Sequence, residues 1–195
     1  MAKPDPGALR NDELIGPGRH TIRILAISLA LFAAPAGAVV VGADSHGFEL
    51  RHTLDLPIPP AQALAAFGKV GSWWSKGHTY SGNSARLSLA LRPGGCWCEQ
   101  LDGGGGVEHM RIALYQPGER VVLTGGLGLL LFEGTSGVMD VRATKTKKGS
   151  QLVINYRAAG FARGNGTEMA LAVDQLLRDQ TEHLRAFASK GAATR

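Results

Sequence analysis

Turn residues cut the chain at near-regular intervals between residues 87 and 159, and no other feature constrains the fold as tightly. The breaks are Pro93-Gly94-Gly95, the glycine tract of residues 103–106, Gln116-Pro117-Gly118-Glu119 and Lys148-Gly149. Between them lie short runs with apolar residues at alternate positions: Leu87, Leu89 and Leu91 against Ser88 and Ala90, then residues 96–101, 107–115, 120–124, 138–146 and 151–159. Short runs joined by tight turns predict antiparallel neighbours rather than alternating parallel units, whose crossovers need a dozen or more residues. Proline and glycine at the centre of the 116–119 turn predict type II geometry, in which the glycine takes a positive φ.

Upstream, Phe48, Leu50, His52, Leu54 and Leu56 share one face while Glu49, Arg51, Thr53 and Asp55 share the other, the pattern of a half-buried strand. Pro57, Pro59 and Pro60 end it, and Pro60 suits the first turn of a short helix over residues 61–67. A second helical turn carries Trp73 and Trp74. Residues 125–134 hold Leu127, Leu129, Leu130, Leu131 and Phe132 among four glycines, which suggests a flap over apolar space. After a flexible 160–166 segment, Met169, Val173, Leu176, Leu177, Leu184 and Phe187 line one stripe of a helix of about twenty residues, opposite Asp174, Arg178, Glu182 and Arg185. Thr167 is the expected cap.

This element order is α+β: an antiparallel sheet of six to seven strands that must bury its apolar face against the C-terminal helix. The order, the proline-led helix ending in Trp73-Trp74, the Arg92-Pro93-Gly94-Gly95 turn and the final helix together resemble the helix-grip fold of the START-like (SRPBCC) superfamily over residues 48–188. That superfamily includes birch-pollen-allergen-type proteins, polyketide cyclases and heat-shock-ATPase-activator homologues. His78-Thr79-Tyr80-Ser81-Gly82 and Gly104-Gly105-Gly106-Val107-Glu108-His109-Met110 look like segments of its uncharacterised bacterial members. The resemblance implies a curved sheet wrapped around the helix and a ligand cavity between them. It also implies that binding without catalysis is an ordinary outcome.

At the N-terminus, Arg19 and Arg23 precede apolar residues 24–34, Pro35 breaks the run, and Ala36-Gly37-Ala38 supplies small residues, a secretory signal pattern. Residues 1–38 are thus expected to be a signal peptide or N-terminal anchor, 39–46 a linker, 47–190 the domain and 191–195 a tail. Cleavage near Ala38 or Ala43 would make the protein periplasmic or secreted; the alternative is an inner-membrane anchor over residues 22–41. The formal net charge is +5. Without the first 38 residues 17 Lys/Arg still face 13 Asp/Glu, so the basicity does not belong to the leader. Its one dense run, residues 145–148, lies at an expected hairpin tip with no interleaved aromatics, which argues against nucleic acid. Two cysteines are too few for a disulfide-stapled scaffold.

The candidate chemistry crowds into the hairpin from Cys96 to Met110. A phosphate loop needs a helix after its glycines, whereas here a strand follows, so the tract reads as a turn. Centring that turn on Gly104 and Gly105 pairs Glu99 with Met110, Leu101 with Glu108 and Trp97 with Ile112. Alternation then sets Trp97, Glu99, Leu101, Glu108, Met110, Ile112 and Leu114 on the helix-facing side, and Cys96, Cys98, Gln100, His109 and Arg111 on the reverse. A zinc site from Cys96, Cys98 and His109 would need His78 as its fourth ligand, and Cys-x-Cys departs from the usual Cys-x-x-Cys spacing. The cysteines are alternatively plain strand residues or a local disulfide. No metal and no cofactor is expected.

Glu99 and Glu108, side by side at an apolar cavity, are the candidate catalytic pair, one of them with a raised pKa. The commoner arrangement for such a pair is the wet rim, beside Arg86 or Arg92. Expected ligand contacts are His52, Trp73, Trp74, His78, Tyr80, Trp97, Glu99, Glu108, Met110 and Ile112, with core packing the alternative for His52 and the tryptophans. No serine nucleophile elbow, dinucleotide fingerprint or spaced metal motif occurs. The leading expectation is binding of a small hydrophobic molecule in a cavity. A cyclase- or isomerase-like enzyme working by proton transfer, and a protein-interaction module, are the alternatives.

Overall fold

The structure, a computed structural model, describes residues 39–193, with side chains to residue 190. The signal or anchor expected over residues 1–38 lies outside the described residues. Eight strands form one open antiparallel sheet: β1 (Val39–Ala43), β2 (Gly47–Leu56), β3 (Leu87–Leu89), β4 (Cys96–Gln100), β5 (Gly106–Gln116), β6 (Arg120–Thr124), β7 (Ser136–Thr146) and β8 (Gly149–Ala159). Their order is β1-β2-β8-β7-β6-β5-β4-β3. Two short helices, α1 (Pro60–Gly68) and α2 (Val70–Trp73), follow β2, and the long α3 (Gly166–Ala193) closes the chain. The sheet has more strands than expected because the 39–46 segment, read as a linker, pairs along β2 as an edge strand.

Local chemistry sets most of these boundaries. Strand β2 buries Phe48, Leu50, His52, Leu54 and Leu56 as the alternation requires. Pro60 opens α1 in the first turn, where its missing N–H costs nothing. Gly118 takes φ 79° in the β5–β6 turn, which Glu119 N closes by donating to Gln116 O at 3.1 Å. The C-terminal helix is longer than expected, 28 residues, and begins at Gly166, so Thr167 falls inside its first turn rather than capping it. It packs mainly on β2, with further contacts to β1, α1 and α2. Among the described residues no helix is long and apolar enough to cross a membrane.

The turn before β4 depends on Gly95, because a Cβ there would sit 1.8 Å from Ala90 O, a backbone atom that cannot yield cheaply. Gly95→Ala is expected to cost about 1–3 kcal/mol, the usual range for overpacking. A urea midpoint unchanged from wild type would show that the turn relaxes freely.

Candidate functional site

Two bulges in β5 decide which side chains meet inside. Trp97 pairs with Met110 and Cys98 with Glu108, leaving His109 as the extra residue; then Ile112 pairs with Leu123 and Leu114 with Val122, leaving Ala113 extra. Each bulge reverses the strand's alternation. The register expected from the turn, Glu99 opposite Met110, is replaced by Glu99 opposite Val107. His109 therefore points inward with Met110, both buried, while Glu108 is exposed on the other face and Leu114 is driven toward solvent.

This corrects the expected pair of cavity carboxylates. Glu108 does not face Glu99: it forms an ion pair with Arg111 outside the sheet, alongside Cys96 and Cys98. It also corrects the metal arrangement with His109, which lies on the opposite face from the cysteines. The sequence shows the first bulge only as a change of parity between Val107 and Met110, and it hides the second, because Met110, Ile112 and Leu114 keep one parity straight through it.

Inside, Glu99 is 1% exposed and His109 5%. The His109 Nε2 lies 3.1 Å from a Glu99 carboxylate oxygen. The other Glu99 oxygen accepts from Ser81 N at 2.5 Å. Burial pushes the Glu99 carboxyl up, but hydrogen bonds from the Ser81 hydroxyl and amide, the Tyr80 amide and His109 outweigh it and hold the group below its ordinary range. Burial depresses the His109 pKa, against the opposing pull of Glu99. The resting pair is thus a carboxylate beside a neutral imidazole, with Nε2–H donating. His109 Nδ1 is buried and has no hydrogen-bond partner among the described residues.

Tyr80 covers this pair. Its ring stacks on His109 at 5.8 Å and 20°, and meets Phe132 edge-on at 6.1 Å. Trp74 Nε1 anchors the same loop by donating to His78 O at 2.9 Å, and Ser75 N donates to the buried Gln180 of α3 at 2.7 Å. The flap forms a short 3-10 segment over Gly128–Glu133, whose Leu130 is buried with neighbouring Leu127 while Leu129 and Phe132 are exposed. Between loop and flap lies a recess of about 250 Å³ lined by residues 77–80, Gly128, Leu129 and Leu176. A larger recess of about 450 Å³ lies beside Lys147 and Lys148 at the β7–β8 hairpin; it includes none of the candidate residues.

The remaining candidates divide between recess and core. His78 and Tyr80 line the recess. Trp73, Trp74, Trp97, Met110 and Ile112 are buried in the core. Trp73 Nε1 donates to the carbonyls of Ala66 and Phe67, and Trp97 packs edge-on to Phe67 and Trp74. His52, 1% exposed, faces Asp174 of α3, with Nε2 and Oδ1 3.2 Å apart but not aligned as a hydrogen bond. Burial lowers the His52 pKa, Asp174 opposes the shift and Arg178 adds to it. Asp174 was expected on the solvent side of α3; it is 5% exposed and ion-paired with Arg178. Only packing reveals this residue, because it lies at the margin of the apolar stripe.

No family model matches the chain, and no curated protein matches it in sequence. Solved structures do resemble it. A Staphylococcus aureus protein of unknown function superimposes with TM-score 0.55 at 14% identity, over 76% of this chain and 97% of its own. A Mesorhizobium loti protein gives TM-score 0.51 at 15% identity, over 71% of this chain and 95% of its own. The di-domain ARO/CYC protein StfQ of the steffimycin biosynthetic pathway gives 0.51 at 15% identity over 76% of this chain, which spans about half of that protein (53%). The chain shares with these structures the helix-grip fold, an open antiparallel sheet with a long C-terminal helix. Similarity at this level defines the fold alone.

Proposed function

We propose that this protein binds a small, largely apolar molecule in the recess between the 77–80 loop, the flap and α3. The recess itself carries the reading: leucines line it from two elements, Tyr80 and His78 add polar atoms, and the buried Glu99–His109 pair lies behind the Tyr80 ring. Apolar enclosure with few polar groups is the usual composition of ligand sites, although about 250 Å³ falls just below their typical range of roughly 300–1,000 Å³. A compact ligand fits best. The signal pattern of residues 19–38 supports an exported carrier, periplasmic or secreted.

Native mass spectrometry of protein purified from its own host should show a retained small molecule. Leu176→Trp, which fills the recess, should release it, while Glu99→Gln should leave it bound. Retention undiminished in Leu176→Trp would refute this site.

A second reading rests on one specific observation. A neutral imidazole held by a buried carboxylate, its Nδ1 unpaired, has the composition of a general base. If the ligand is turned over, the loss in Glu99→Gln should appear in kcat with little change in affinity. Affinity and turnover falling together would instead mark Glu99 as a residue that shapes the site.

A further inference from the structure

The first bulge of β5 does more than turn His109 inward: it brings Glu108 directly opposite Cys98, while Arg111 stands opposite Cys96. Cys96 and Cys98, two residues apart on one strand, share a face and are half-buried. They are joined as a disulfide. Both sulfurs and a Glu108 carboxylate oxygen lie within 4.8 Å of one another. Arg111 grips both Glu108 oxygens, Nε at 2.9 Å on one, and its Nη1 donates to Gly94 O at 2.8 Å, so the carboxylate is oriented from behind.

We propose that Cys96, Cys98 and Glu108 form a redox-gated site for a thiophilic divalent cation of the zinc or cadmium type. Oxidised, the sulfurs are bonded to each other and offer no thiolates. A small dithiol reductant transfers two electrons and two protons, breaking the Cys96–Cys98 bond and itself becoming a disulfide. The metal then replaces the two thiol protons, which leave to solvent, and takes Glu108 as its third ligand. With Zn–S near 2.3 Å and Zn–O near 2.0–2.2 Å, ligand atoms of one tetrahedral ion lie roughly 3.5–3.8 Å apart, so three atoms already within 4.8 Å need only side-chain rotation. The half-exposed face leaves the fourth position to water, which suits an exchangeable ion more than a structural one. Arg111 keeps its hold on the carboxylate and acts as its orienting partner.

Cadmium supplies the test, because thiolate-to-metal charge transfer gives it an absorbance of its own. Full-length protein reduced with a dithiol and freed of it should bind one Cd²⁺ per chain with that absorbance and release two protons. The oxidised protein and reduced Cys98→Ser should lack this signal. Glu108→Gln, a surface change, should weaken binding by at least the ~10–100-fold that loss of a supporting contact typically costs. Reduced wild type without stoichiometric Cd²⁺, or a Glu108→Gln variant as tight as wild type, would overturn the proposal. Retention of the apolar molecule in the recess is expected to be the same with and without the metal, which separates the two sites.

Discussion

Replacing Trp97 by alanine is expected to cost about 3–5 kcal/mol, the range for deleting a large aromatic side chain from a packed core. Trp97 is 1% exposed, and its ring lies 5.2 Å from Trp74 and 6.0 Å from Phe67, edge-on to both. It therefore joins α1, the Trp73-Trp74 segment and β4. Against a typical domain stability of about 5–15 kcal/mol this is a large fraction. At roughly 2–4 °C per kcal/mol for a domain of this size, the melting temperature should fall by about 6–20 °C. The loss should also loosen the 76–80 loop, since Trp74 Nε1 holds His78 O. Chemical denaturation of Trp97→Ala measures the first effect and hydrogen exchange at residues 76–81 the second. A loss under about 1.5 kcal/mol, the size of a volume-conserving swap, would contradict the packing described.

Acid is expected to unfold the protein in two windows. His52 and His109 are buried and both titrate below the ordinary histidine value of 6.5. As pH falls through 6.5 the unfolded chain takes up protons that the folded chain refuses, so stability is full above 6.5 and lost below it. Each such proton contributes a slope of at most about 1.4 kcal/mol per pH unit, or about 2.7 for both histidines together. Glu99, held below its ordinary 4.5, acts in the same direction in a second window below pH 4.5. Melting temperatures from pH 8 to 4 should trace this descent, and His109→Gln should flatten its upper part. A flat profile between pH 7 and 5 would mean that both histidines charge freely in the folded state.

How far the candidate site could be read in advance varied with the kind of information each residue carried. Residue type and alternation suffice to put Glu99 on the helix-facing side of its strand, and His78 and Tyr80 are legible as residues of a polar loop. The roles of Ser81, which donates to Glu99, and of Asp174, which faces His52, are not legible, because each residue acquires its role from one distant in the chain. Glu108 and His109 exchanged faces, and with them the chemistry of the hairpin changed. The cavity carboxylate pair became a carboxylate–imidazole pair, and a metal arrangement lacking a ligand became two sulfurs and a carboxylate.

The sequence by itself determined the element order from β2 onward, the antiparallel pairing and the buried face of each regular strand, but not the edge strand β1. Those properties follow from local periodicity and turn chemistry, which neighbouring residues settle among themselves. Only the tertiary structure decided the β5 register, the burial of Asp174 and the Glu99–His109 contact. The physical reason is that side chains on a strand alternate with a period of two. One inserted residue sends everything beyond it to the other face, and whether a strand accepts that residue depends on how both its neighbours pack.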